Sequence, residues 1–227
     1  DSLSMQMYKQ LTGTSAKFTL FFAGDCMVGR LYGERKFPNS DNLQKSYEET
    51  WGDALEDMQT ADLTCINLET TISDSNDFEE GKTFTYKLPT KYKEVLSTAN
   101  IDFASLANNH ILDFKKEGYE DTIKSLTSMN IAYAGCGKTL EQASQPAVKI
   151  VNGAKVLLFS ASDHYDYWDV NGKATPGLWY IDIDDDNAIA NALAILDKHI
   201  AQNNPDLVIF SIHWGPNHSD EVEPNMK

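Results

Sequence analysis

Apolar runs of four to six residues punctuate this chain, at Phe18 to Ala23, Leu63 to Ile66, Phe103 to Ala107 and Leu207 to Ile212. Short apolar runs closed by polar residues predict strands buried within a sheet. Between them the apolar residues recur every three or four positions, which predicts helices. One helix is expected around Tyr47 to Asp62, with Trp51, Leu55 and Met58 on its inner side. Pro89-Thr90 opens a short one, with Thr90 as N-cap and Tyr92, Val95 and Leu96 as its apolar face. Another spans about Gly118 to Met129 and carries Tyr119, Ile123 and Leu126. The last places Ile189, Leu193, Leu196 and Ile200 on one face and ends ahead of Pro205.

Val148 to Val151, Asn152-Gly153 and Lys155 to Ser160 form a hairpin pattern, because Asn-Gly supplies the positive φ angles of a type I′ turn. Alternating strands and helices with one hairpin predict an α/β fold whose sheets are mixed. Asp163 to Pro176 reads as a long aromatic and acidic loop, either over an active site or on the solvated surface. Neither an internal repeat nor a domain linker is visible.

Each apolar run ends in a short polar group: Gly24-Asp25, Asn67-Leu68-Glu69, Asn108-Asn109-His110 and His213-Trp214-Gly215. In open α/β sheets, ligands sit outside the carboxyl ends of the strands. Carboxylate, carboxamide and imidazole donors gathered there suit a divalent metal. Asp25 reads either as a bridging ligand, with Gly24 letting the backbone pass close to the site, or as the cap of a following helix. Asn67 and Glu69 are two apart on a strand and share a face, Glu69 as ligand and Asn67 as its hydrogen-bonding support, or both line a solvated edge. Asn109 offers a neutral oxygen and His110 a proton donor of near-neutral pKa, or the tripeptide is an ordinary turn. His213 is a ligand or a satisfied core histidine. The recurrence at four strand ends favours a site.

Composition narrows the chemistry. The 227 residues fit one large domain or two small ones, and 41% hydrophobic content argues for a folded core. A formal net charge of −15 disfavours nucleic acid as a partner. Cys26, Cys65 and Cys136 form no Cys-x-x-Cys pair, and buried thiols are expected at Cys26 and Cys65. No apolar stretch is long enough for a transmembrane segment, and Asp1 to Met5 lacks the apolar core of a leader. Gly137-Lys138-Thr139 resembles the end of a phosphate-binding loop, but Ala132 holds the position of its first glycine. Asn217-His218-Ser219 is a glycosylation triplet of a kind common by chance, and no Gly-x-Ser-x-Gly elbow occurs.

Together Phe21-Phe22-Ala23-Gly24-Asp25, Ile66-Asn67-Leu68-Glu69, Ser105 to His110, Asp113, Ala134 to Gly137, the Asn152-Gly153 hairpin and Ser211 to Gly215 resemble the bacterial capsule-synthesis family. This family, typified by the poly-γ-glutamate capsule protein CapA, has a calcineurin-like metallophosphoesterase fold. The resemblance implies an αββα sandwich of two mixed β-sheets flanked by helices, over residues 17–227 after an N-terminal extension of 1–16. It implies two divalent metals (Mn, Zn, Fe or Mg) on Asp25, Glu69, Asn109 and His213. His110 would be the general acid, and Arg30 and Asn67 would contact substrate. Two metals in such a site activate a water and clamp the scissile oxygens. Met27 stands where phosphoesterases of this fold place the histidine of an Asp-x-His motif, a loss shared by the capsule branch.

The family continues beyond His-Trp-Gly to a His-Pro-His motif, whereas this sequence stops at Lys227. A domain incomplete at its C-terminus is therefore expected. The implied substrate is a phosphoester or an anionic polymer such as poly-γ-glutamate. The implied partners are capsule-synthesis membrane proteins, and the implied location is extracytoplasmic and membrane-associated. Two further readings remain: a non-catalytic scaffold or polymer-handling subunit, and a structural α/β domain whose polar strand ends only cap helices.

Overall fold

The computed structural model describes residues 17–29, 37 and 41–215. The extension 1–16, Arg30, the Asn217 triplet and the region that bears on C-terminal completeness lie outside the described residues.

The four predicted apolar runs all form strands. Strands β1 (Leu20–Asp25), β2 (Leu63–Asn67), β5 (Phe103–Ser105) and β6 (Ala132–Ala134) build a four-stranded sheet in the order β1-β2-β5-β6. Every pairing in it is parallel. A second sheet has the order β11-β9-β8, from β8 (Ala147–Val151), β9 (Ala154–Ser162) and β11 (Leu207–His213). Here β8 runs antiparallel to β9 and β11 parallel to it. The mixed character therefore sits in the second sheet, where the two-residue Asn152-Gly153 turn joins β8 to β9 with φ angles of 48° and 85°. Two small pairs complete the set: β3 (Thr71–Ile72) with β4 (Lys87–Leu88), and β7 (Cys136–Gly137) with β10 (Gly177–Leu178).

Three apolar clusters define the layers. Leu63, Cys65, Phe103, Val156 and Leu158 fill the space between the sheets. Ile66, Ala104, Leu106, Tyr119 and Leu126 pack the outer face of the first sheet. Leu157, Phe159, Ala161 and Trp179 pack the outer face of the second. Alternate residues of β2 and β9 point into different clusters, as the twofold strand period requires. That arrangement is an αββα sandwich. Burying each large apolar side chain contributes about 1.5–3 kcal/mol, which is why strands covered on both faces read as unbroken apolar runs.

Among the described residues the helices are α1 (Leu43–Trp51), α2 (Leu55–Thr60), α3 (Glu94–Thr98), α4 (Lys115–Ser128), α5 (Leu140–Ala143) and α6 (Asp186–Asn203). The single helix expected over Tyr47 to Asp62 is divided, because Gly52 takes φ 55° and a 3₁₀ turn follows before α2. The cap expected of Thr90 is not made. Pro89 precedes a 3₁₀ turn over Thr90–Tyr92, and the Thr90 hydroxyl donates to Asp74. On α6 the buried stripe is Ala192, Ile195, Leu196 and His199, while Leu193 is 54% exposed and Ile189 36%. The stripe keeps helical spacing, but a small residue and a histidine stand where the large aliphatics were expected. The Asp163 to Pro176 segment contains a 3₁₀ turn, Asp166–Trp168, with Trp168 buried. All three cysteines are free; Cys65 and Cys136 are buried and Cys26 half-buried. Burial pushes the Cys26 and Cys65 thiols up to about 12.

Candidate metal centre

Because β1, β2 and β5 are parallel, with a register shift in β1 between Phe22 and Asp25, their carboxyl ends open at one edge of the sheet. The ladder continues past the strands through Cys26 N–H to Asn67 O (2.8 Å) and Leu68 N–H to Ser105 O (3.0 Å), which sets the three terminal loops side by side. Among the described residues nothing lies within 4 Å of the position of a Cβ on Gly24. The tight contact falls at Gly29, whose Cβ would lie 2.6 Å from the Lys87 carbonyl carbon.

Asp25, Glu69 and His213 come together at this edge, with one ligand atom from each within 4.8 Å of the others. His213 Nδ1 is 3.4 Å from Asp25 Oδ1, and its Nε2 is 3.9 Å from Glu69 Oε1. Among the described residues Asp25 turns to these partners and caps no helix. Asn67 links the group: its Nδ2 donates to Asp25 Oδ1 at 2.6 Å and lies 3.1 Å from His213 Nδ1. Its Oδ1 accepts from Asn108 Nδ2 at 3.0 Å. Asn67 thus spends its amide on orienting the neighbouring side chains.

The electrostatics separate the two carboxylates. The hydrogen bond from His213 holds Asp25 below its ordinary value, assisted by Asn67. Burial pushes Glu69 up, and the charge of Asp25 pushes it further. A pair of carboxylates in this position is relieved by a cation. Asn109 is buried, and its Oδ1 has no hydrogen-bond partner among the described residues. An unpaired buried carbonyl oxygen is costly unless something else satisfies it. Asp25, Glu69, His213 and Asn109 therefore fit a divalent ion by donor type and by unmet demand.

His110 stands beside them, with Nε2 3.9 Å from Glu69 Oε1. Its Nδ1 is 2.6 Å from Asp113 Oδ2, and its backbone N–H donates to Asn108 Oδ1 at 3.0 Å. An ionised Asp113 accepts only, so the neutral imidazole carries its proton on Nδ1 and turns a free Nε2 lone pair to the site. Tyr86 packs on the ring with centroids 4.4 Å apart. A cavity of about 620 Å³ opens here, lined by Glu69, Asn109, His110, Lys82, Phe84 and the tyrosines 86, 165 and 167. A larger one of about 690 Å³, between Tyr119, Cys136 and Gln142, has no ligating cluster.

The strand-end reading thus finds Asp25, Asn67, Glu69, Asn109, His110 and His213 in one region, with Arg30 outside the described residues. It missed Lys82 and Tyr86, and gave Asp113 no role. Asp113 had a local signal, three residues after His110 in a tight turn; Lys82 and Tyr86, in a polar loop, had none.

The match to a family model covers residues 19–227 and carries the description Bacterial capsule synthesis protein PGA_cap. The chain belongs to this family. A Probable polyglutamine synthesis accessory protein of Mycobacterium tuberculosis is 30% identical over 175 residues, covering 74% of this chain and 45% of the relative. The Capsule biosynthesis protein CapA of Bacillus anthracis is 25% identical over 140 residues, covering 59% and 32%. The PGA biosynthesis protein CapA of Bacillus subtilis is 23% identical over 204 residues, covering 88% and 50%. The chain spans half or less of the length of these relatives. No helix among the described residues is long and apolar enough to cross a membrane.

Proposed function

We propose that this capsule-synthesis domain is a metal-dependent hydrolase acting on a phosphoester, or on an amide of an anionic polymer such as poly-γ-glutamate. The observation that carries this reading is the convergence of Asp25, Glu69 and His213, with buried Asn109, whose Oδ1 is unpaired among the described residues, lining the same cavity as Glu69. These four residues would hold divalent ions. Bound there, such ions supply Lewis-acid charge that lowers the pKa of water and offsets negative charge on the substrate.

The remaining steps belong to the protein. The substrate enters the cavity beside Tyr86 and Tyr167, which exclude water on one side. The oxygen of a water bonds to phosphorus, and the ester P–O bond breaks with its electron pair on the leaving oxygen. His110, as imidazolium, donates its Nε2 proton to that oxygen, and Asp113 stabilises the cation while it lasts. The proton shed by the attacking water returns to the imidazole through solvent. Carried over from the names of the relatives, the setting is capsule, PGA or polyglutamine synthesis; capsule-synthesis membrane proteins as partners and an extracytoplasmic site are proposed from the family resemblance alone.

Hydrolysis of aryl phosphomonoesters and diesters and of γ-linked glutamyl peptides, with manganese present, tests this reading. The expected result is turnover that falls by roughly 10²–10⁴ in His110→Gln while bound metal is retained. A metal-loaded protein without turnover on any of these would contradict an enzyme and favour a polymer-handling scaffold.

A further inference from the structure

Lys82 lies on the loop before β4, and its side chain is only 8% exposed. Its ammonium donates to the carbonyl oxygen of Asn109 and to Asp113 Oδ1, and lies 3.5 Å from His110 Nδ1. The rings of Trp168 and Tyr165 cover it, with centroids 4.8 and 5.5 Å away. One buried cation therefore touches three segments: its own loop, the Asn109–Asp113 turn and the aromatic turn after β9.

We propose that Lys82 is a positioning residue, whose ammonium fixes both the carboxamide ligand Asn109 and the tautomer and direction of His110. An ammonium only donates, so Lys82 makes Asp113 an acceptor on Oδ1. The backbone N–H of Tyr86 adds a second donor, to Oδ2 at 2.7 Å. With those bonds made, His110 satisfies Asp113 only by placing its own proton on Nδ1, 2.6 Å away. The Nε2 atom is thereby committed to the cavity. The bond to the Asn109 carbonyl holds the backbone from which the unpaired Oδ1 projects.

Stability alone is a weak reason for such an arrangement, since an apolar side chain of similar volume often replaces a buried ion pair at no net cost. A methionine could fill the space between Trp168 and Tyr165, but it cannot donate to Asn109 or Asp113. This proposal rests on the reading of Asn109 and His110 given above, and its test separates the two.

Lys82→Met and Lys82→Gln would be compared with the unaltered protein in two measurements. The first is the ¹⁵N spectrum of His110 in metal-free protein, recorded over a pH series so that the spectrum of the neutral imidazole is read directly. The second is manganese affinity by calorimetry. The expected result is a folded Lys82→Met protein whose His110 signal moves from the Nδ1-protonated tautomer towards a mixture. Manganese should bind it roughly 10–100-fold more weakly, as is usual when the support of a ligand is lost. Lys82→Gln, which keeps a donor without the charge, should fall between. An unchanged His110 spectrum with affinity within about twofold in both folded variants would overturn the proposal. So would loss of the fold in both, which would assign Lys82 to stability. If the unaltered protein binds no manganese, the metal reading fails, and the His110 spectra still decide the role of Lys82.

Discussion

Gly135 and Gly24 show how differently one residue type is used. Gly135 has φ 103°, and a Cβ there would lie 2.2 Å from Ser160 Oγ and 2.7 Å from Ala107 Cβ. Ser160 is itself committed, bonding Ser105 Oγ at 2.7 Å and accepting from the Ala107 N–H at 3.0 Å, so it stitches the two sheets together. Gly135→Ala should cost about 1–3 kcal/mol or more in chemical denaturation, from overpacking joined to backbone strain. Gly24→Ala meets nothing within 4 Å among the described residues and should change stability by about 0.5 kcal/mol or less. Equal costs at the two positions would contradict this packing. The sequence showed both glycines but not which one was crowded, because crowding depends on strands distant in the chain. Asp25, Glu69 and His213 were legible for the opposite reason: Asp25 and His213 end their own strands, and Glu69 follows β2 by two residues rather than lying on it as expected. Lys82 reaches partners 27 and 31 positions further along the chain, which no local pattern encodes.

Among the elements, the Asn152-Gly153 hairpin was the most legible, since its turn chemistry is local. The break between α1 and α2 was missed although Gly52 marks it, because the apolar spacing of Trp51, Leu55 and Met58 continues across the break. The face of α6 was misassigned by weighting large aliphatics over position in the stripe. One carboxylate ties the entry of β1 to β2 and to the hairpin. Asp62 accepts from Thr19 N–H at 2.7 Å, Thr19 Oγ1 at 3.0 Å and Asn152 Nδ2 at 3.1 Å. These bonds, the Thr19 backbone first, hold its carboxyl below the usual carboxylate range. A carboxylate depressed in the folded state contributes stability that is fully present above its unfolded pKa and is lost as pH falls through the folded one. Asp62→Asn should therefore lower the melting temperature by a constant amount from neutrality down to about pH 5, with the gap closing below about pH 4. A gap that persists unchanged at low pH would show that the charge of Asp62 contributes nothing.

At the scale of the whole molecule, two sheets that each end their strands at one edge bring together side chains 188 residues apart in sequence, from Asp25 to His213. The strands and helices were legible because each layer writes its own period into the chain, in unbroken runs for the doubly covered strands and in stripes for the helices, whereas their stacking as a sandwich was implied by the family resemblance. The distances within the site were not, because they depend on how far one sheet slides over the other. That slide is fixed by the layer of Leu63, Phe103, Val156 and Leu158 and by the Ser105–Ser160 bond. The central claim is that this edge binds divalent metal. It is tested most directly by the metal content of the purified protein, measured by plasma mass spectrometry after loading with manganese or zinc and removing the excess. The account predicts about two equivalents per chain in the unaltered protein and a loss of at least one in a folded Asp25→Ala variant. No bound metal in the unaltered protein, or the same content in Asp25→Ala, would contradict it.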